Sequence, residues 1–327
     1  MSAALPRFDL LRPGTVEEFI ACRAQYPASR VLAGGTDLVV NMRRGLVEPS
    51  ALVDVTGVEE LRLLEWDDTG LCIGAGVTLA ALGADERVRT SFAAVAQAAE
   101  AVAGPTHREA ATVGGNLCQD TRCVYYNQSA WWRKAVGYCL KLDGDICHVA
   151  PQGKRCRAAF CSDLAPALMV HDAHVELVGP RGRRRIALTD LYSHDGAAHL
   201  KLAGDEMLAF VHLPAGPRRS AYAKARVRDS IDFPLAGVAV SLHDEGAGRA
   251  RLRVAATGVD SRPVLLEGVD EPLGLPPGDA FLGRLDKLVQ KQVTPMRTTT
   301  ASSHYRRLAA AALTRRLLVE LAGEAGQ

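Results

Sequence analysis

Long apolar runs are missing from this chain of 327 residues. No stretch approaches the roughly 20 consecutive apolar residues needed to span a bilayer. The opening "MSAALPRFDLLRPGTVEEF" has no apolar segment behind a basic one, so it does not read as a secretion signal. These two absences lead to the expectation of a cytoplasmic protein with no membrane role. A surplus of one charge is missing too. Lys and Arg number 39 against 37 Asp and Glu, a formal net charge of +2. That balance argues against nucleic acid or an anionic lipid surface as the main partner. Aromatics are scarce at 5%. There is no internal repeat, no low-complexity tract, no H-E-x-x-H spacing among the histidines, and no G-x-G-x-x-G fingerprint.

Against this background one stretch stands out, "CVYYNQSAWWRKAVGYCLKLDGDICHVAPQGKRC", from Cys123 to Cys156. It holds two of the three Trp and three of the seven Tyr. The chain has eight Cys. Cys22 and Cys72 stand alone, one on a helix and one in a strand, where small core residues are expected. Cys118, Cys123, Cys139, Cys147, Cys156 and Cys161 fall within a 44-residue window. In a reducing compartment such clustering points to metal rather than disulfides. Structural zinc sites bring ligands in close pairs, but within the stretch the Cys gaps are 15, 7 and 8 residues. Only Cys118/Cys123 and Cys156/Cys161 have zinc-like gaps. Iron–sulfur clusters also take four thiolates, and an aromatic shell suits a redox centre. Spacing alone leaves a cluster, zinc and unligated thiols open. Between Asp120 and Arg157 seven basic residues face three acidic ones, a surface suited to an acidic electron carrier.

Ordinary α+β grammar surrounds the stretch. Thr15 and Glu18 form a capping box for a first helix. Hairpin strands flank Asp68-Thr69-Gly70, and an Ala-rich helix stops at Gly104-Pro105. Gly216–Arg219 reads as a linker. The last helix places Tyr305, Leu308, Ala312 and Val319 on one apolar face. The Cys-rich segment is too short to bury a core alone and needs a staple. The aromatics, Trp131 and Trp132 among them, are expected to form a dry shell around it.

Two Gly-Gly pairs, "LAGGTD" and "TVGGN", each follow a short apolar run. Glycine admits φ > 0 and close backbone approach, and successive N–H groups in such turns form a nest for phosphate oxygens. Thr36 and Thr112 add hydroxyls and Asn116 an amide. A dinucleotide diphosphate site is one reading; tight turns are the other.

The strings "LAGGTDL", "GAGVTLAAL", "AGPTHREAATVGGNL", "SDLAPAL" and "YAKARVRDSIDFPLAGVAVSL" resemble, in order, the FAD-binding subunits of the xanthine oxidase family of molybdenum hydroxylases. The resemblance covers nearly the whole chain. It implies a PCMH-type FAD-binding domain of two α/β subdomains over 1–216 and an α+β flavoprotein domain over 217–327, an α+β chain in all. The 47-residue passage from Asn116 to Asp163 is longer than the family's usual one, marking 117–162 as an insertion. "GGNLCQDTRC", "YYNQS…WW" and "GYCLK" resemble the 4-hydroxybenzoyl-CoA reductase branch; a bacterial aldehyde oxidoreductase branch has a comparable insertion.

The resemblance implies FAD held by Val31, Leu32, Ala33, Gly34, Gly35, Thr36, Asp37 and Leu38. Ala103, Thr112, Gly115, Asn116, Asp163, Leu208 and Lys224 are implied to complete the pocket. It implies a [4Fe-4S] cluster on Cys123, Cys139, Cys147 and Cys156, with Cys118 and Cys161 as bystanders and His148 beside the ligands. Electrons from ferredoxin are implied to enter at the cluster and pass to FAD. From there they reach [2Fe-2S] centres on a small subunit and a molybdenum cofactor on a large one, in a dimer of heterotrimers. That complex removes a phenolic hydroxyl reductively, a step of aromatic degradation. The alternative is oxidation of aldehydes or N-heterocycles, with electrons running outward. In either case no residue of this chain is expected to act as general acid or base, because the cofactors carry the chemistry.

Overall fold

The structure is a computed structural model and describes residues 4–216, 218–269, 273–298 and 300–323. Three sheets carry it. The first is parallel, built from β1 (Asp9–Leu11), β2 (Arg30–Leu32) and β3 (Ala51–Asp54) in the order β1-β3-β2. Parallel neighbours require crossovers, here the helices Val16–Gln25 and Leu38–Arg43. The first helix starts at Thr15, whose hydroxyl accepts the Glu18 N–H at 3.1 Å. The Glu18 carboxylate turns away and accepts from Gly14 N–H at 2.6 Å. The expected capping box is therefore closed on one side only. Val16 and Phe19 bury against Val53, Val55 and Leu61. Cys22 lies half-buried at that cluster's margin, while Arg23 is buried with its guanidinium on Ser29.

The second sheet is antiparallel. It contains β4 (Leu64–Asp67), β5 (Gly70–Gly74), β6 (His174–Gly179), β7 (Gly182–Ala187) and β8 (Met207–Pro214), ordered β4-β5-β8-β6-β7. The β4–β5 hairpin turns where the Asp67 carboxylate accepts the N–H groups of Thr69 and Gly70, at 2.7 and 3.0 Å. Cys72 pairs across to His212 and is half-buried, not core. The helices Leu79–Ala84, Ala93–Ala101 and Leu164–Met169 build the largest core with β5, β6 and β8.

The third sheet holds β9 (Arg218–Ala225), β10 (Ala236–Gly246), β11 (Arg249–Thr257), β12 (Val264–Leu265) and β13 (Leu273–Gly274). β9 begins at Arg218, so Arg218 and Arg219 of the expected linker are strand residues; Pro217 lies outside the described residues. Strand alternation splits β9 between two cores. Ala221, Ala223 and Ala225 pack with the helices Asp279–Gln292 and Ser303–Gly323. Tyr222 joins the core of the second sheet and its helices.

The final helix corrects the expected apolar face. Tyr305, Leu308, Ala312 and Val319 are solvent-facing, and Leu313, Leu317, Leu318 and Leu321 are buried. Each of those four leucines contributes roughly 1.5–3 kcal/mol by leaving water. Among the described residues no helix is long and apolar enough to cross a membrane.

Residues 118–162 form a loop with one short helix, Ala130–Ala135. Its two arms are tied together where Arg122 and Ala159 exchange backbone hydrogen bonds, and both arms are bonded to the body. Phe160 N–H donates to Asp260 O at 2.9 Å, and Thr121 Oγ1 to Gly196 O at 2.6 Å. Asn116 Oδ1 clasps the far end, accepting from Ser162 Oγ at 2.6 Å and Leu164 N–H at 3.3 Å.

Candidate cofactor cleft and cysteine loop

The chain leaving β2 turns at Gly34-Gly35, and the two glycines are needed for different reasons. A Cβ on Gly34 would lie 1.7 Å from the carbonyl oxygen of Ala110, so backbone approaches backbone there with no room for a side chain. At Gly35 a Cβ would crowd only the Val39 side chain, at 3.1 Å, but its φ is +70°. The second pair departs from expectation. Gly114 and Gly115 lie inside the short helix Val113–Leu117, not in an open turn. Thr112 caps this helix and accepts the Gly115 N–H at 3.1 Å, which removes that donor from any phosphate nest. Gly114 is the tight position, since a Cβ there would meet Ala75 at 2.7 Å.

These two segments face each other across a cleft. One half, of about 180 Å³, is lined by Val31, Ala33, Gly34, Gly35, Thr36, Asp37, Leu38, Thr112, Gly115 and Leu208 among others. The other, of about 360 Å³, includes Thr36, Asp37, Ala103, Gly115, Asn116 and Asp163. The halves share Thr36, Asp37, Gly115 and Gln119. Of the residues expected around a flavin, only Leu32 and Lys224 are not in the wall. Leu32 is half-buried on β2. Lys224 stands behind Asp163, its Nζ 3.1 Å from that carboxylate and 3.1 Å from the carbonyl of Asp232, with its side chain 3% exposed. Burial pushes the Asp163 carboxyl up from its ordinary value; Lys224 and the Tyr222 hydroxyl oppose that.

Ala103 has φ +43°, uncommon for a residue with a side chain. Its carbonyl accepts from Ile231 N–H at 3.1 Å, which ties the cleft's rim to the segment after β9. Gln119 was not foreseen. It lines both halves, and its Nε2 is buried without a partner. No sequence signal marks it beyond its position just after the second glycine pair.

The loop brings together the four cysteines expected to act as a set. Cys123, Cys139, Cys147 and Cys156 line one tight cavity of about 10 Å³ with Tyr125, Tyr126, Lys141 and His148. Cys118 and Cys161 lie elsewhere, in opposite halves of the cleft. Burial raises the Cys123 thiol and pushes Cys156 up to about 12, so as free groups both hold their protons at neutral pH. Among the described residues no group of three or more His, Cys, Asp or Glu is placed to hold a metal ion. The dry shell is thinner than expected. Tyr126 is buried and Trp132 leans on Tyr125 at 6.2 Å, but Trp131 is 78% exposed.

Cleft and loop are joined directly. Asp37 Oδ2 accepts the Asp120 N–H at 2.9 Å, and Arg122 pairs with Oδ1. Arg122 also covers the ring of Phe233 at 4.8 Å.

Residues 6–216 match the FAD binding domain in molybdopterin dehydrogenase, and residues 220–321 match the CO dehydrogenase flavoprotein C-terminal domain. The chain belongs to the FAD-binding subunits of the xanthine oxidase family of molybdenum hydroxylases. Among the relatives of this subunit is the aldehyde oxidoreductase FAD-binding subunit PaoB of Escherichia coli K12, 34% identical over 81% of this chain and 86% of that protein. The carbon monoxide dehydrogenase medium chain of Hydrogenophaga pseudoflava is 26% identical over 80% of this chain and 78% of its own. The same fold occurs in quinoline 2-oxidoreductase from Pseudomonas putida 86, with TM-score 0.79 at 21% identity, covering 99% of this chain and 100% of that one.

The cleft fits the flavin of an FAD-binding subunit on three grounds. Gly34 is where a Cβ has no room, Gly35 has left-handed backbone, and Gln119 offers an unpartnered buried donor. The donor set of the loop, four thiols around one cavity, has the soft chemistry of a metal–sulfur site, although among the described residues the thiols are not drawn together as a metal-holding group.

Proposed function

We propose that this subunit carries two redox groups and relays electrons within a larger molybdenum enzyme. The observation that supports it is the four-thiol cavity in a loop whose base is bonded to the glycine turn of the flavin cleft. Residues 31–38, Ala103, Thr112, Gly115, Asn116, Asp163 and Leu208 would hold FAD, with Lys224 acting through Asp163. Cys123, Cys139, Cys147 and Cys156 would hold a [4Fe-4S] cluster. A flavin exchanges electrons singly or in pairs and a cluster exchanges them singly, so together they suit a relay between unlike carriers. This chain's side chains orient and insulate. Asp163 and Lys224 fix the seam behind the cleft, and Tyr126 excludes water from the thiols.

The partners in this reading are a large molybdenum-cofactor subunit and a small [2Fe-2S] subunit, as a dimer of heterotrimers, with ferredoxin as donor. The reaction we assign to the complex is reductive removal of the phenolic hydroxyl of 4-hydroxybenzoyl-CoA. The strings "GGNLCQDTRC", "YYNQS…WW" and "GYCLK" carry that assignment. A second reading, oxidation of an aldehyde or N-heterocycle, is favoured by the 34% identity to PaoB.

Anaerobic purification with the co-expressed partner subunits tests both. The dehydroxylase reading expects flavin and iron in this chain, and donor-dependent formation of benzoyl-CoA. Aldehyde oxidation without dehydroxylation establishes the second reading. A chain containing flavin but no iron overturns the two-centre relay.

A further inference from the structure

Lys141 is the only Lys, Arg, Asp or Glu lining the four-thiol cavity among the described residues. Its side chain is 6% exposed and lies 4.2 Å over the ring of Tyr126, another wall residue. Three contacts hold the ammonium: Asp120 Oδ1 at 2.6 Å, Thr121 Oγ1 at 2.6 Å and Thr121 O at 3.1 Å. Asp120 is not in the cavity wall. It sits behind the lysine, accepts Thr121 N–H at 2.9 Å, and donates its own N–H to Asp37 of the flavin cleft. The cation therefore lies in the cavity wall and the carboxylate behind it, where it also meets the wall residue Tyr126, while only the Asp120 backbone reaches the flavin cleft. His148, the other basic side chain in the wall, has Nε2 occupied by the Tyr138 carbonyl.

We propose that Lys141 is a positioning residue that sets the reduction potential of the group held by the four thiols, with Asp120 as its counterweight. The inference rests on the two-centre reading above. Four thiolates concentrate negative charge in a closed cavity, and each added electron increases it. A fixed cation in the wall stabilises the reduced state more than the oxidised one and raises the potential; a carboxylate behind it does the reverse. Thr121 and Tyr126 keep the lysine from swinging into solvent, so the effect does not depend on a mobile side chain.

The test uses the co-purified complex. Iron and flavin are counted first, and the cluster's electron-spin signal is then titrated against potential in wild type, Lys141→Met, Lys141→Arg and Asp120→Asn. The proposal expects iron to be retained and the midpoint to move down in Lys141→Met, up in Asp120→Asn, and little in Lys141→Arg. Opposite shifts from the two members of one ion pair do not arise from loosened packing. Unmoved midpoints, or shifts of the same sign in Lys141→Met and Asp120→Asn, overturn the role of Lys141 while leaving the cluster in place. Should Lys141→Met shed its iron, Asp120→Asn decides: an upward shift upholds the proposal and none overturns it. Iron absent from wild type overturns the two-centre reading itself.

Discussion

Lys224 Nζ lies 3.1 Å from the Asp163 carboxylate, with the two side chains 3% and 5% exposed. Asp163 precedes the helix Leu164–Met169 beside the cleft, and Lys224 comes from β9, so the pair closes the seam between the second and third sheets. Removing one partner of a buried pair strands the other, a loss of about 3–5 kcal/mol. Lys224→Met is expected to lose most of its flavin and to melt several degrees lower. Adding Asp163→Asn to Lys224→Met should recover much of the melting temperature, because the uncompensated carboxylate is gone. Thermal melts and flavin content of the complexes check this; a double variant no more stable than Lys224→Met would show that the pair's charge is not what matters.

The glycine turn yields a graded prediction. Gly34→Ala places a Cβ against the Ala110 carbonyl and should abolish flavin retention by pushing two backbones apart. Gly35→Ala crowds only the Val39 side chain, at 3.1 Å, but forces an L-residue to φ +70°, a strain of roughly 1–2 kcal/mol, and should weaken binding without abolishing it. Gly115→Ala should be mildest, since it crowds only the Thr112 hydroxyl, at 3.1 Å, and its backbone is helical rather than left-handed. Visible flavin absorbance per chain ranks them, and equal retention in all three would contradict the steric account.

What was legible in the sequence was local. The Gly-Gly turn at 34–35 and the hairpin at Asp67–Gly70 announce themselves in short strings, whereas the choice of Cys123, Cys139, Cys147 and Cys156 among the six clustered cysteines came from the family resemblance. What was not legible depends on where an element docks. The final helix buries Arg306 and Thr314, both polar, which hides its true inner face from any hydrophobic pattern. Arg306 is accommodated because its guanidinium donates to the carbonyls of Leu235 and Gly258, and Thr314 because its hydroxyl donates to Ala310 O. Trp131 looked like shell material by residue type, yet it sits on the outer side of a six-residue helix. Lys224 was expected at the cofactor; in the structure it pairs with Asp163, which lines the cleft. Gly115 was expected in a nest, and the cap supplied by Thr112 draws it into a helix.

His171 gives the fold a defined acid sensitivity. It is 1% exposed, its Nε2 is 3.0 Å from Ser220 Oγ on β9, and its ring meets Phe92 edge-on at 5.0 Å. Burial pushes its pKa from 6.5 down to about 3. The unfolded chain therefore takes up a proton between those values that the folded chain refuses. The associated stability is full above 6.5 and is lost as pH falls toward 3, about 3 kcal/mol of it by about pH 4.5. The apparent melting temperature of the complex should fall over this interval, and His171→Gln should flatten the fall. Parallel pH profiles in both variants would refute this.

The cysteine loop supplies the most direct test of what the thiols do. Four of the six clustered cysteines share the thiol cavity; Cys118 lines the cleft, and Cys161 lines both the cleft and a neighbouring groove it shares with Cys123. If the four are ligands, Cys139→Ser should lose nearly all iron. The same variant should keep its FAD, because the glycine turn and Gln119 lie outside the cavity. Cys118→Ser and Cys161→Ser should keep both groups. Trp131→Ser should keep both as well, since a side chain 78% exposed adds little to the loop's interior. Metal binding in so small a unit is folding energy, so Cys139→Ser should also expose the loop to limited proteolysis near its exposed residues 151–155. Iron assay, flavin assay and proteolysis on the same preparations separate these outcomes. Full iron in Cys139→Ser, or zinc in place of iron in anaerobically prepared wild type, would remove the loop from the electron path.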